Sequence, residues 1–307
     1  MDTLAVKKCL FPVAGLGTRF LPVTKEIAKE MLPLVNRPII SYGVEEALNS
    51  GCSDIIMITG RAKRSIENYF DRSFELEHLL KARGKDELYE KMVAISNMAE
   101  ILYIRQREPL GLGHAVLCGE PFCRDGFFGV ILPDDVFISD KEEATPPVMA
   151  QLIDVHNRLG GSVIALEHVA PEEVSRYGII RSEVLSDGIH RILDMVEKPS
   201  QEQAPSRYAI MGRYVLSPSI FAILAEQDAG AGGEIQLTDA IRTLAKQEPV
   251  WGVVYRGRRF DCGTQKGWLA ANVQLALEDP ELRGVVLDIV KKVGGASSGQ
   301  KGQPSVI

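Results

Sequence analysis

The sequence predicts an α/β protein: a Rossmann-like, three-layer α/β/α mixed sheet with a smaller mixed α+β sub-domain. Three observations predict it. Over residues 9–60 an apolar run, a helical pattern and a second apolar run follow one another, and both apolar runs end at a glycine. The run FFGVILPDD at 127–135 is the most apolar strand candidate of the first half and ends in two carboxylates. Beyond residue 170 the pattern changes to short strands and turns. Strands that alternate with crossover helices are typical of a parallel sheet covered on both faces.

The first half begins with a buried strand at 9–15, CLFPVAG. A helix is predicted at 37–51, because Pro38 suits a helix start, apolar residues repeat every four positions and Gly51 is a natural stop. The following elements are a strand at 54–60, charged helices over 61–98 divided at Gly84, a strand at 101–106, a short helix at 113–122, a helix at 148–161 and a strand at 162–169.

The second half predicts a different arrangement of elements. Short strands dominate from 171 to 216, and helices are expected at 217–226 and from about 238, where Thr238 suits an N-cap. Strands at 250–264 and a helix at 266–279 complete the fold. We expect one domain over 1–275, with halves at about 1–165 and 166–265, and then a C-terminal helix and loose tail at 276–307.

Composition excludes several classes of partner. A chain of 307 residues with a net charge of −6 does not hold nucleic acid by bulk charge, so any phosphate site must be built locally. The five cysteines form no C-x-x-C pair and predict free thiols in a reducing compartment. We find neither a signal peptide nor an apolar run of membrane-spanning length, and therefore expect a cytoplasmic protein without membrane contact.

Two familiar phosphate-binding motifs could explain the turn AGLGTRF after the first strand, but the residues of the chain match neither. A dinucleotide fingerprint needs a third glycine or alanine, where the chain has Phe20, and an acidic residue about 20 positions on, where 35–40 has none. A P-loop needs Gly-Lys followed by Ser or Thr, but the Gly-Lys pair at 84–85 precedes Asp86. Neither motif explains the turn.

The residues of the turn nevertheless predict a site for a polyphosphate. Gly15 and Gly17 allow the backbone to approach a triphosphate and to direct N–H groups at it. Arg19 offers a planar donor fork for phosphate oxygens, and Lys29 adds a second positive charge.

The turn and the following KEMLPL resemble the signature of the sugar-1-phosphate nucleotidylyltransferases, and are most similar to the branch of bacterial UTP–glucose-1-phosphate uridylyltransferases. SFELE, GLGHAVLC and GEIQLTDA separate this branch from the thymidylyl- and adenylyl-transferring relatives. Two positions depart from the pattern: Ala28 replaces a common proline, and Asp135 replaces an aliphatic residue. Supporting motifs follow in order as SIENYFDRSFELE, GLGHAVLC, VILPDD, YGII, VEKP, IMGRYVLSP, GAGGEIQLTDAI and DCGTQKG.

The resemblance implies a nucleotidyltransferase-type fold that transfers a uridylyl group from UTP to glucose 1-phosphate, giving UDP-glucose and pyrophosphate. The nucleophile is the sugar phosphate, whose second pKa is about 6, so no general base is required. The difficulty is the repulsion between two polyanions, which positioning and charge neutralisation must overcome. By resemblance, Arg19 holds the β- and γ-phosphates, Lys29 neutralises the reacting phosphates and Lys198 clamps the phosphate of the sugar.

A magnesium ion held by Asp134 and Asp261 is also implied by the resemblance. Asp134 lies just past a predicted strand end, where open α/β sheets bind ligands. Mg²⁺ typically takes one or two carboxylates together with phosphates and water. We expect Asp135 to be a solvated turn residue rather than a ligand.

The same resemblance assigns the base and the sugar. Uracil is expected to meet the backbone of Ala14, Gly15 and Gly111 and the side chain of Gln106, because an amide both donates and accepts. The sugar is expected to bind through Glu197, which accepts from two hydroxyls, and through the close approach that Gly178 and Gly212 allow. Structural alternatives remain open: Gln106 as a polar strand end, Glu197 as a partner of Lys198, and His114 in a purely structural role.

Three other functions compete with uridylyl transfer. A glucose-1-phosphate thymidylyltransferase would use dTTP, which differs from UTP in a methyl group and a 2′-hydroxyl. Comparing activity with UTP and dTTP would distinguish the two enzymes. A nucleotide-sugar sensor without catalytic activity is disfavoured, because all four charged motif residues are present: Arg19, Lys29, Asp134 and Lys198. An NAD-dependent dehydrogenase is disfavoured because the turn lacks the third glycine and the acidic residue of the dinucleotide fingerprint. The apolar residues at helical spacing in 61–98 also suit a subunit contact, so we expect a homodimer or homotetramer.

Overall fold

The computed structural model describes residues 6–139, 144–186, 188–230 and 233–296. The predicted loose tail beyond residue 296 and part of the GAGG segment lie outside the described residues. The fold is built around a nine-stranded mixed sheet, with two further two-stranded sheets. Within the described ranges, no helix is both long and apolar enough to cross a membrane.

The large sheet has the strand order β5-β4-β1-β6-β11-β8-β12-β10-β9, while β13 pairs with β7 and β2 with β3. The strands are β1 (Lys8–Pro12), β2 (Pro33–Leu34), β3 (Arg37–Pro38), β4 (Asp54–Thr59), β5 (Glu100–Arg105), β6 (Phe128–Ile131), β7 (Asp135–Ile138), β8 (Ser162–His168), β9 (Gly178–Ser186), β10 (Ile189–Glu197), β11 (Tyr208–Leu216), β12 (Val250–Val254) and β13 (Arg258–Asp261).

Strand β11 joins the two parts of the chain. Strands β5, β4, β1 and β6 are parallel neighbours, as the crossover pattern predicts. Strand β11 is antiparallel to both β6 and β8, and β12 is parallel to β8. The antiparallel pair β10 and β9 follows β12 at the edge. The short strands after residue 170 are therefore hydrogen-bonded into the main sheet.

Helices cover both faces of the sheet. The charged stretch 61–98 contains three helices rather than two, because the chain also breaks at residues 71–73. The helices are α1 (Ile39–Asn49), α2 (Arg64–Phe70), α3 (Phe74–Ala82), α4 (Asp86–Ser96), α5 (Leu112–Leu117), α6 (Glu120–Cys123), α7 (Val148–Leu159), α8 (Ser219–Glu226), α9 (Leu237–Leu244), α10 (Gln265–Glu278) and α11 (Arg283–Ala296).

The core follows from the two-residue period of the strands. In β1, Cys9 and Phe11 pack into one hydrophobic cluster and Leu10 into another, because successive side chains point to opposite faces. The first cluster includes residues of α1 and α7, and the second includes residues of α5, α8 and α9. The predicted three-layer α/β/α architecture is confirmed.

The carboxyl ends of the parallel strands bring the motif residues to one edge of the sheet. After β1 the chain makes three short 3₁₀ turns, at Thr18–Phe20, Val23–Lys25 and Lys29–Met31, which carry Arg19 and Lys29. The antiparallel pairing of β7 with β13 sets Asp135 opposite Asp261. The pairing therefore brings Asp135 and Asp261 together, although they lie 126 positions apart in the sequence.

A buried ion pair anchors the segment after β6. Arg213 on β11 is fully buried and forms a bidentate pair with Glu46 of α1, with Nη2 2.7 Å from Oε2. The same guanidinium donates to the carbonyl oxygens of Leu132 (3.0 Å) and Asp135 (2.9 Å). Glu46 in turn accepts from the backbone N–H of Met149. One cation thus fixes the backbone on both sides of residues 133–134.

Substituting Glu46→Gln should destabilise the fold by about 3–5 kcal/mol, because Arg213 would keep its charge without a buried partner. The neighbouring Glu45→Gln is the matched control, since Glu45 pairs with Arg37 at the surface and should cost less than about 1 kcal/mol. Urea unfolding followed by circular dichroism measures both. Equal costs for the two variants would contradict an anchoring role for the buried pair.

Candidate active site

Two cavities open at the carboxyl edge of the sheet and meet at Leu132 and Asp134. The first, of about 520 Å³, lies between the glycine turn and Gln106. The second, of about 420 Å³, is lined by a mixed set of charged residues, namely Arg19, Asp135, Arg176, Lys198, Arg259 and Asp261. Asp134 therefore stands between a cavity with exposed backbone and a cavity with concentrated charge.

The glycine turn presents unused backbone donors to the first cavity. Gly17 has φ 68°, a conformation that glycine adopts readily, and its carbonyl oxygen accepts from Thr24 Oγ1 at 2.7 Å. A Cβ at Gly17 would lie 3.2 Å from Lys29 Cβ. Among the described residues, nothing accepts a hydrogen bond from the N–H groups of Ala14, Gly15 or Gly17. These donors are free to meet an anion or a polar base edge.

Gln106 closes the far side of this cavity. It follows β5 and is nearly buried, and its Nε2 lies 3.1 Å from Gly111 O and 2.9 Å from His114 Nδ1. Gly111 has φ 97° and precedes α5, and Glu234 lines the same cavity. Gln106 is thus tied to the start of α5 and is more than a polar strand end. His114, expected to be structural, makes its contact with the side chain that was expected to read the base.

Lys29 and Asp134 form the ion pair at the junction of the cavities, with Nζ 2.5 Å from Oδ2. Burial lowers the pKa of Lys29, but the charges of Asp134 and Glu30 outweigh it and raise that pKa to about 12. Burial raises the pKa of Asp134, and here Lys29, assisted by Arg19, outweighs it and lowers that pKa below 3.8. Both groups are therefore charged at neutral pH.

Asp134 and Asp261 converge on the space beside Gly263. A Cβ built on Gly263 would lie 2.8 Å from Asp134 Oδ2 and 3.2 Å from Asp261 Oδ1, so both oxygens lie within 3.2 Å of one point. Asp261 Oδ2 is paired with Arg176 at 2.5 Å, and Gly263 O accepts from Arg19 at 3.4 Å. The glycine keeps open the space that the two carboxylates flank.

A divalent metal fits this donor set when substrate oxygens complete it. Two carboxylates with phosphates and water are a usual Mg²⁺ environment. Within the part of the chain that the structure describes, no group of three or more His, Cys, Asp or Glu residues could hold a metal. A cation here would therefore need ligands beyond Asp134 and Asp261, and a polyphosphate provides them.

Asp135 is a correction to the sequence analysis, which expected a solvated turn residue. Its side chain is largely buried and pairs with Arg259, whose Nη2 lies 2.6 Å from Oδ1. Its other oxygen accepts from Gly212 N at 3.0 Å. A Cβ at Gly212 would lie 2.8 Å from that oxygen, so the missing side chain at Gly212 makes room for Asp135. Neither Arg259 nor Arg176 was identified from the sequence, because nothing local marks an arginine that meets a distant carboxylate.

Lys198 has a left-handed backbone, with φ 46°, which is uncommon for a residue other than glycine. Its N–H donates to Tyr177 O at 3.0 Å, and its Nζ lies 3.0 Å from Glu197 Oε1. The side chain is more than half exposed and lines the second cavity. This conformation lets a residue just after β10 line the second cavity together with Arg19.

Glu197 and Gly178 face each other across the pairing of β10 with β9. Glu197 Oε2 accepts from Thr238 Oγ1 at 2.7 Å, and a Cβ at Gly178 would lie 3.1 Å from Thr238 Cγ2. The expected N-cap at Thr238 is wrong, because α9 begins at Leu237 and its N-cap is Gln236. Thr238 instead holds the carboxylate of Glu197.

The model of the nucleotidyl transferase family matches residues 12–278 of the chain. The chain belongs to the nucleotidyl transferase family. This nucleotidyl transferase is 49% identical over 291 residues to the UTP–glucose-1-phosphate uridylyltransferase YngB of Bacillus subtilis, covering 94% of this chain and 96% of that protein. A UTP–glucose-1-phosphate uridylyltransferase of Pseudomonas aeruginosa is 45% identical over 87% of this chain and 94% of its own length.

Solved structures agree with this membership. A UDP-glucose pyrophosphorylase crystallised with UDP-glucose superposes with a TM-score of 0.81 at 46% identity, covering 89% of this chain and all of that chain. A glucose-1-phosphate thymidylyltransferase from Bacillus anthracis shares the fold at a TM-score of 0.65 and 23% identity. The resemblance to the uridylyltransferase branch, stated from the sequence motifs, is confirmed.

The lowered pKa of Asp134 predicts how the ion pair responds to acid. A carboxylate whose pKa is lower in the folded state stabilises the fold fully above its ordinary value of 3.8 and loses this effect as pH falls through the lower value. The difference in unfolding free energy between the wild type and Asp134→Asn should therefore stay constant from pH 8 to about 4 and change only below that. Urea unfolding across this range measures it. A change that begins near pH 6 would contradict the assigned direction.

Proposed function

We propose that this nucleotidyl transferase transfers the uridylyl group of UTP to glucose 1-phosphate and releases pyrophosphate. The observation that carries the proposal is the meeting of the two cavities at Asp134, with Lys29 lining the first cavity and Arg19 and Lys198 lining the second. The names of relatives at 43–49% identity support the same reaction. Uridylyl transfer joins two polyanions, and this site concentrates the cations that such a reaction needs.

The reaction calls for charge neutralisation without an acid or base. A phosphate oxygen of the sugar attacks the α-phosphorus in line, and pyrophosphate leaves from the opposite side. In our proposal Arg19 holds the β- and γ-phosphates, Lys29 faces the reacting phosphates, and Lys198 holds the sugar phosphate. Losing one preorganised donor of this kind costs about 3–4 kcal/mol in the transition state, or roughly 10²–10³-fold in rate.

Enzymes of this family use a divalent metal, and we propose Mg²⁺ between Asp134 and Asp261. When bound, the ion supplies positive charge to the phosphate oxygens. The hard carboxylate oxygens beside Gly263 match its preference for oxygen ligands. Arg176, which now neutralises Asp261, and Lys29, which neutralises Asp134, hold both carboxylates at this place without the ion.

The first cavity is our proposed uridine site and the second receives the sugar phosphate. Uracil would meet the free N–H groups of Ala14, Gly15 and Gly111 and the side chain of Gln106. The hydroxyls of glucose would meet Glu197, which lies opposite Gly178, where a Cβ would come within 3.1 Å of Thr238 Cγ2. Because Gly212 N is engaged by Asp135, we assign Gly212 to the shape of the site and to no hydrogen bond with the sugar.

This proposal keeps the division into a nucleotide-binding half at about 1–165 and a sugar-binding half at about 166–265. The cysteines of the described chain are free thiols, which supports the cytoplasm as its compartment. Exposed Phe74, Leu79 and Leu88 on the helices at 61–98 support a homodimer or homotetramer. UTP and glucose 1-phosphate are the proposed small-molecule partners.

The proposal is tested by measuring pyrophosphate release with UTP, dTTP, CTP, ATP and GTP against glucose 1-phosphate and galactose 1-phosphate, with Mg²⁺ present. We expect the highest kcat/KM with UTP and glucose 1-phosphate. Activity with dTTP should be detectable, because a methyl difference is worth only about 1–3 kcal/mol. A preference for dTTP would overturn the assignment in favour of a thymidylyltransferase.

Gly263→Ala should weaken the binding of the metal proposed between Asp134 and Asp261. The added methyl group would lie 2.8 Å from Asp134 Oδ2, inside the space proposed for the ion. We expect the Mg²⁺ concentration for half-maximal activity to rise about 10–100-fold. Gly126→Ala is the matched control, because a Cβ there meets nothing within 4 Å. An unchanged Mg²⁺ dependence in Gly263→Ala would remove the ion from this position.

A further inference from the structure

The hydrogen-bond partners of Gln106 fix the orientation of its side-chain amide. The atom that lies 3.1 Å from Gly111 O must be the nitrogen, because a carbonyl oxygen only accepts hydrogen bonds. The same nitrogen lies 2.9 Å from His114 Nδ1. Its two hydrogens are therefore both used, one by the carbonyl group and one by the imidazole.

This geometry also decides the tautomer of His114. Since Nε2 of Gln106 has only hydrogens to offer, Nδ1 of His114 must accept and the ring proton must sit on its own Nε2. A ring with hydrogen on Nδ1 would set two donors against each other. His114 thus acts on Gln106 as a neutral acceptor.

The oxygen of the amide is left for the cavity. Gln106 lines the first cavity. Among the described residues, no group donates a hydrogen bond to its Oε1. This oxygen is also not one of their buried side-chain atoms without a partner, so it is accessible to solvent. The surrounding groups are rigid: Gln106 N donates to Thr59 O, and Gly111 O also accepts from Ala115 N in the first turn of α5. An acceptor held in one orientation is therefore available to a ligand in the first cavity.

We propose that His114 is a positioning residue that holds Gln106 Oε1 toward the base and so makes the site select uracil over cytosine. The inference rests on the proposed function. Uracil offers an N–H donor at N3, which this oxygen can accept, whereas cytosine has an unprotonated N3 that repels it. Sites that hydrogen-bond a substrate group reject analogues lacking it far more strongly than apolar pockets do. The two bases are nearly equal in size, so polarity must separate them.

Steady-state kinetics with UTP and CTP test the role of His114. His114→Ala removes the acceptor, and we expect the ratio of kcat/KM for UTP to that for CTP to fall about tenfold, the effect of one hydrogen bond. His114→Asn retains an acceptor at a similar position, and its ratio should stay within about threefold of the wild type. The KM for glucose 1-phosphate should change in neither variant.

A purely structural role predicts a different result. Loose packing at α5 would lower kcat/KM for UTP and CTP together and leave their ratio unchanged, which would overturn the proposal. Equal ratios in His114→Ala and His114→Asn would contradict the acceptor role as well. His168→Ala, at the exposed end of β8, controls for loss of an imidazole elsewhere and should match the wild type.

Nitrogen-15 NMR of the histidine rings tests the tautomer directly in the unmodified protein. We expect the His114 signals to show an unprotonated Nδ1 and a protonated Nε2, and to be assigned by their loss in His114→Asn. A proton on Nδ1 of His114 would contradict the inference.

The inference and the proposed function fail separately. Absence of UDP-glucose formation by the wild type would refute the function, and the selectivity would then be measured by calorimetric binding of UTP and CTP to the same variants. An active wild type whose selectivity is untouched by His114→Ala would refute only the inference.

Discussion

The contact between Lys29 and Asp134 is the constraint on which the site depends. It places a cation and an anion 2.5 Å apart where the two cavities meet, and each group keeps the other charged against the cost of burial. The proposed site for two anions and a metal needs both signs of charge close together. The mutual neutralisation of Lys29 and Asp134 lets the fold hold both charges at this junction.

The rest of the architecture serves to keep this contact in place. Arg213, held by Glu46, fixes the backbone on both sides of residues 133–134, so the position of Asp134 is restricted. The β7–β13 pairing brings Asp261 alongside, and Gly263 leaves the space between the carboxylates. Scaffold and site are thus linked through hydrogen bonds from the buried Arg213 side chain to the backbone around Asp134.

Much of the fold was predictable because each strand carries its own apolar run and each helix its own period and stop. The position of Asp134 at the carboxyl edge of the sheet was also predictable, since a strand end marks it. Arg259, Arg176 and the burial of Asp135 were not, because their partners lie 85 or more positions away in the chain. The contact of Thr238 with Glu197 was hidden for the same reason: a threonine near a helix start resembles an N-cap until the tertiary structure supplies its partner.

The most direct measurement of the central claim is a crystal structure of the protein with Mg²⁺, glucose 1-phosphate and a non-hydrolysable UTP analogue. The account predicts phosphate oxygens within hydrogen-bonding distance of Arg19, Lys29 and Lys198, and the metal bound by Asp134 and Asp261. Lys29 would then share its ammonium group between Asp134 and a phosphate. A complex in which these three cations lie far from every phosphorus atom, or in which the metal binds elsewhere, would contradict it.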